Sequence, residues 1–452
     1  MYTLLYDRVE NTVTEISRTA LHPLPLSEEI EIAKKVLLED AQAKGIRLPS
    51  LFLPIPATME LDPLSSSSPR TVLIGIRGLS WEDAKVVGVD PYERRIYQNA
   101  MIAPKGFRHR STGCGAPTPA NQTPTTGRSG TRVLTIRRNG VTIWQALVVR
   151  PAQSSATNGS GIELRNVEYR GVTVLDRAHL PILNVKYDGD ACGPYRDWQN
   201  YESPFEAVGT DVSPGFRECT SMPRTIMESG DDQGSFAGVA IYDDGAGVHL
   251  VSELEAGWYR YITRWYLSDS GTLSARFGFA AVGSACVCNR HHHHAYWRFQ
   301  FNMGGGGTNS VWSVEKTIAG ETLQPVNFET PWLRSTMPTR RFQVESPDRN
   351  IRCRLEPGPG DISATELDDW PFGRGDVWLL RHKNAELDDG IEAVGPPYET
   401  GVGSFVNGEA LSGYPLALWY AGHFTHDLST MAAAAHDHLV GVDLNFSAPK
   451  SS

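Results

Sequence analysis

Cysteine is scarce in this chain. Six residues in 452 (Cys114, Cys192, Cys219, Cys286, Cys288 and Cys353) are too few to staple a protein of this size, which excludes a disulfide scaffold. Positive charge is short as well. Lys and Arg number 42 against 52 Asp and Glu, a formal net charge of -10, and no basic stripe offsets that balance, so a phosphate-backbone partner is excluded. No apolar run approaches the roughly 20 residues that cross a bilayer. The N-terminal MYTLLYDRVENTV carries charge too early, and an apolar stretch too short, for a signal peptide. The chain therefore reads as intracellular and cytoplasmic, without a membrane or nucleic-acid partner. What remains, 40% hydrophobic and 21% charged, is an ordinary globular composition with length for two or three domains.

Residues 22 to 44, HPLPLSEEIEIAKKVLLEDAQAK, predict one clear helix, with Ser27 as N-cap, Glu28 and Glu29 in the first turn, and Ile30, Ile32, Ala33, Val36 and Leu37 as an apolar stripe. Strand candidates follow at LFLPIPATMEL and TVLIGIRGL, which together predict a small α/β domain over residues 1–105. Residues 106–131 form a linker, rich in Gly, Pro, Ser and Thr from 111 onward. From 132 to 452 short alternating runs such as RVLTIRR, GVTIWQALVV, WYRYITRWYL, YWRFQFNM and LALWYAG predict a large β-sandwich. No repeat period appears. The fold class is mainly β.

Four consecutive histidines, His291 to His294, open the run HHHHAYWRFQFNM. In a strand, side chains alternate faces, so His291 and His293 share a face with Ala295, Trp297, Phe299 and Phe301. That face is apolar and should point inward. His292 and His294 fall with Tyr296, Arg298, Gln300 and Asn302 on a face that reads as wet or as an interface. A His-x-His pair on a buried strand face sets two imidazoles side by side, the arrangement of a copper or zinc site awaiting a third ligand. An expression-tag scar or a solvated polar run is the plain alternative, and a tag does not belong inside an alternating strand. Further candidates are His423 and His426 in LWYAGHFTHD, Cys286 and Cys288 as soft ligands or plain packing, and His436 and His438 as outward groups or as partners that orient a ligand from behind. Gly304 to Gly307 reads as a flexible turn.

The run GWYRYITRWYLSDSGTLSARFGFAAVG places Tyr259, Tyr261, Thr263, Trp265 and Leu267 on one face and ends in a turn at Asp269 to Gly271. Taken with the histidine segments, it resembles the copper amine oxidases, whose catalytic domain is a large β-sandwich. HPLPLSEEIEIA is similar to the start of that family's second N-terminal domain, and GIELRNVEYRGVTVLDRAHLPILNVKYDGDACGPYRDW to the segment leading into its active site. The resemblance covers most of residues 22–105 and nearly all of 132–448, with an intermediate domain shortened or missing. It implies Tyr259, twelve residues before Gly271, as precursor of a topaquinone cofactor. It also implies copper on His291, His293 and His426: Arg298 follows the second histidine by five residues, and His426 follows Trp419 by seven. A small-molecule substrate and a homodimer are implied too, with aldehyde, ammonia and hydrogen peroxide as products of primary-amine oxidation.

The departures from the family pattern bear on chemistry. Trp258 and Arg260 flank Tyr259 where the family has Asn and Asp or Glu. The family's hydrogen-bonding tyrosine matches Tyr187, but Tyr201 stands at the position of its aspartate base, with Glu202 and Asp197 as neighbouring carboxylates. An unperturbed tyrosine, with a pKa near about 10, is a poor base at neutral pH. Glu202 should point to the opposite strand face from Tyr201. Three readings follow: a copper enzyme with altered, topaquinone-independent chemistry on a specialised metabolite; a topaquinone-dependent primary amine oxidase; and a non-catalytic relative with a structural metal site. The first accounts best for the loss of base and flanking pair together.

Overall fold

A computed structural model describes residues 2–7, 12–18, 26–44, 50–52, 71–77, 85–97, 128–156, 161–187, 195–197, 201–256, 259–281, 290–305, 309–317, 320–334, 338–346, 351–362, 375–387, 402–426 and 439–447. The chain divides into two compact units. One comprises residues 1–108, 189–195 and 392–397, and the other 109–188, 196–391 and 398–452. The smaller unit holds the helix Ser27–Ala43 and an antiparallel sheet in the order Ser50–Phe52, Val72–Arg77, Lys85–Asp90, Arg95–Tyr97. Ile30, Ala33, Val36 and Leu37 bury one helix stripe against Val72, Ile74, Val87 and Val89. Leu26, not Ser27, is the N-cap. Its backbone N–H donates to Glu29 Oε2 at 2.8 Å, so the carboxylate satisfies a terminal N–H and Ser27 becomes the first helical residue. Among the described residues no helix is long and apolar enough to cross a membrane.

The larger unit is a sandwich of two sheets, so the protein is mainly β. At the centre of a nine-stranded sheet, His291–Phe301 lies antiparallel between Val172–Tyr187 and Leu416–His426. In a thirteen-stranded sheet, Tyr259–Ser268 lies antiparallel between Gly247–Ala256 and Thr272–Ala281, in register along the whole of both ladders. Aromatic side chains join the layers. The rings of Trp265 and Trp297 meet edge to face at 5.2 Å, and Trp144 Nε1 donates to the Ser268 carbonyl at 2.7 Å. Each such indole contributes roughly 1.5–3 kcal/mol by burial. The turn after Tyr259–Ser268 requires Gly271 twice over, since its φ is +101° and a Cβ there would stand 2.7 Å from both the Phe446 carbonyl and the Tyr169 hydroxyl.

A second sequence expectation, a wet outer face, fails as well. The face of His291–Phe301 that carries His292, His294, Tyr296 and Arg298 is not wet: all four are buried. Trp378, Leu380 and Val402, with Phe405 and Val406 against them, pack over Tyr296 and Trp419 and cover it. Both faces of the central strand are thus interior, which alternation within one strand does not reveal.

Candidate metal centre

On the inner face of the nine-stranded sheet His291 stands opposite His426, and His293 opposite Phe424. All three imidazoles are fully buried. The His291 ring centre lies 5.0 Å from that of His293 and 4.8 Å from that of His426. Phe279, from the facing sheet, touches all three rings at 5.8, 4.1 and 5.1 Å. Tyr259 arrives from the same sheet, its ring centre 5.1 Å from that of His293 and 5.8 Å from that of His291. Its hydroxyl hydrogen-bonds the Tyr187 hydroxyl. Tyr187 in turn stands opposite His291 across the ladder and stacks on its ring at 4.8 Å. Six residues from five strands therefore meet between the two sheets.

The donor chemistry suits copper, because imidazole nitrogen is a ligand type that copper favours. A metal–nitrogen bond of about 2.0 Å puts a ring centre roughly 3.2 Å from the ion and neighbouring ring centres about 4.5–5.2 Å apart. The two separations above fall in that range. The donor atoms themselves are less gathered: among the described residues no group of three or more His, Cys, Asp or Glu is arranged to hold a metal ion. His291, His293 and His426 thus suit copper in donor type and in the two His291 ring separations, while their donor atoms are not gathered around one point.

Tyr201 and Glu202 do not join these residues. Tyr201 is 37% exposed and pairs with Glu255, while Glu202 is buried, so the two do take opposite faces. Glu202 is committed elsewhere. Arg150 Nε donates to Glu202 Oε1 at 2.8 Å and its NH2 to Oε2, while NH1 reaches the Pro214 carbonyl at 3.3 Å. Asp197 ends the strand Tyr195–Asp197, and its side chain lies outside the described residues. Arg260 is buried and paired. It forms a two-pronged ion pair with Asp232, at 2.7 and 2.9 Å, and donates to the Tyr259 carbonyl at 3.0 Å, so it fixes the backbone beneath that tyrosine. Trp258, Cys286, Cys288, His436 and His438 lie outside the described residues. Gly304 takes a φ of +80°, as a tight turn requires.

Sequence reasoning missed two groups. Glu253 stands opposite Ile262 and faces away from Tyr259, fully buried against Ile226, whose N–H donates to its Oε2 at 2.7 Å. Burial pushes this carboxyl up to about 8, against partial relief from that N–H and from Arg260, with Asp232 and Glu228 pushing the same way as burial. The unfolded chain releases this proton near 4.5, whereas the folded chain keeps it to about 8. Stability should therefore fall as pH rises through that window, and Glu253→Gln should flatten the fall in urea midpoints. A dependence equal in variant and wild type would refute the assignment. The second group lies behind the histidine strand: His294 Nδ1 and His423 Nδ1 share a hydrogen bond of 2.8 Å, and His423 Nε2 meets the Gly375 carbonyl at 2.9 Å and Asp376 Oδ1 at 3.4 Å. That carbonyl accepts only, so His423 Nε2 carries a proton. His423, weighed as a rival ligand, thus turns to the face opposite His426.

No family model and no curated protein matches this sequence. Among solved structures, the copper-containing benzylamine oxidase of Hansenula polymorpha matches 99% of this chain and 86% of its own at 11% identity, with a TM-score of 0.51. An amine oxidase of Aspergillus nidulans matches 92% and 72% at 13% identity (TM-score 0.46), and the lysyl oxidase of Pichia pastoris 93% and 73% at 11% (TM-score 0.48). At such identities the likeness speaks to architecture, and on that ground the chain has the mainly β fold seen in the copper-containing benzylamine oxidase.

Proposed function

We propose that this protein is a copper-dependent oxidoreductase acting on a small molecule other than a simple primary amine, with His291, His293 and His426 as ligands and Tyr259 as the tyrosine beside the metal. The observation that carries the reading is the burial of those three imidazoles and Tyr259 in one compartment between the sheets. Copper bound there would supply one-electron and dioxygen chemistry. The chain's own residues do the rest. Tyr187 holds the Tyr259 hydroxyl and fixes its ring, while Phe279 and Phe424 stack on His293 and shield it from solvent. Altered chemistry is supported by the base position, where Tyr201 faces solvent and Glu202 is bound to Arg150. A homodimer and a specialised metabolite as substrate belong to the same proposal.

A second reading, topaquinone-dependent amine oxidation, draws on one specific contact, the Tyr187–Tyr259 hydroxyl pair. Peptide mass analysis of copper-loaded, aerated protein separates the two, because conversion of Tyr259 to the quinone adds two oxygens and removes two hydrogens. An unmodified Tyr259 peptide is expected. Peroxide release from benzylamine or tyramine should be weak, since losing a positioned base costs about 10²–10⁴-fold. A quinone mass together with brisk peroxide release would restore ordinary amine oxidation. Copper binding without dioxygen consumption on any substrate would leave a structural metal site.

A further inference from the structure

The outer face of the nine-stranded sheet buries a guanidinium with too few acceptors. Arg298 is fully buried. Its NH2 donates to His382 Nδ1 at 2.9 Å and, at longer range, to the Lys383 carbonyl at 3.4 Å. A guanidinium only donates, so Nδ1 of His382 is the unprotonated nitrogen, and its Nε2–H donates to Asn384 Oδ1 at 3.2 Å. Nε and NH1 of Arg298 are buried without an acceptor among the described residues. Directly across the ladder stands His179, also fully buried, with neither ring nitrogen hydrogen-bonded. Trp419 flanks the guanidinium at 5.7 Å and buries its own indole N–H without an acceptor.

Nearby carboxylates do not supply the missing acceptors. Arg177 and Arg165 share the same outer face and are about a quarter exposed, at 26% and 27%. The buried Glu163 carboxylate serves both, at 3.1 and 2.6 Å, and also takes the hydroxyls of Ser154 and Ser155. Asp176 is occupied by the Gln300 and Asn302 amides, and Glu386 pairs with Lys383 at 3.5 Å. Glu386 and Glu163 act on Arg298 through space only, and neither accepts a hydrogen bond from its Nε or NH1.

We propose that Arg298, His179 and Trp419 line a binding site for a small oxyanion, a carboxylate or a phosphate, entered past Arg177 and Arg165. A guanidinium taken out of water is stable only when opposed by an anion and supplied with acceptors. Burial lowers Arg298 only to about 10, so it stays cationic at neutral pH. Burial also pushes His179 down to about 3, which leaves a neutral ring with one N–H to donate. The site lies on the opposite face of the strand from His291 and His293, so it stands apart from the copper reading.

Thermal unfolding of the full chain tests this, with phosphate and acetate compared against chloride at matched ionic strength. The wild-type midpoint should rise with the logarithm of phosphate or acetate concentration, and the stronger arm identifies the anion. Arg298→Met should abolish the rise. Arg177→Gln, a change at the partly exposed entrance, should shift the half-effect concentration upward by at least about fivefold. The proposal is overturned by a wild type that responds no more to either oxyanion than to chloride. An equal rise in Arg298→Met also overturns it, as that is general salt exclusion. Should Arg298→Met fail to fold, the Arg177→Gln titration decides, and an unshifted response refutes the site.

Discussion

Glu202→Gln should destabilise the protein by about 3–5 kcal/mol, because it strands a buried guanidinium. Arg150 and Glu202 expose only 4% and 3% of their side chains, so water does not replace the lost carboxylate. The surroundings cannot relax either: Gly215 sits at φ +75°, and even a Cβ there would come within 2.0 Å of Arg150 NH1. Removing both charges in Arg150→Met with Glu202→Met should recover most of the loss, since the pair replaced by apolar groups is near neutral in cost. Urea unfolding of the two single variants and the double variant closes the cycle. A Glu202→Gln protein of wild-type stability that has lost all peroxide release would show the opposite, a carboxylate kept for proton abstraction.

Replacing His291, His293 or His426 with Ala should each weaken copper binding by more than the roughly 10–100-fold typical of an outer partner. The three rings share one buried face, and a site with only two protein nitrogens loses its closing ligand. His294→Ala and His423→Ala act from behind, through the bonded pair joining the two ligand strands, and should fall within that lesser range. Equilibrium dialysis against copper measures the series. A larger loss in His294→Ala than in His293→Ala would mean that the metal sits on the other face.

Much of this was legible in the sequence because period-two alternation carries it. His291 and His293 shared their face with Ala295, Trp297 and Phe299 on paper as they do in the sheet, and Tyr259, Tyr261 and Trp265 likewise. Partners set by long-range closure were not legible. Nothing near Glu202 in sequence announces Arg150, 52 residues away, and nothing near His294 announces His423, 129 away. The outer face of His291–Phe301 looked polar because His292, His294 and Arg298 are polar, yet segments more than seventy residues downstream cover it. Ser27 misled for a local reason: Glu29 caps through the Leu26 backbone and needs no side chain from the N-cap.

The most direct test of the central claim is pulsed electron paramagnetic resonance of the copper(II)-loaded chain, which counts imidazoles bound to the metal. The account predicts three in the wild type, two in His426→Ala, and three still in His292→Ala and His423→Ala. Three imidazoles surviving in His426→Ala, or one lost in His423→Ala, would contradict it.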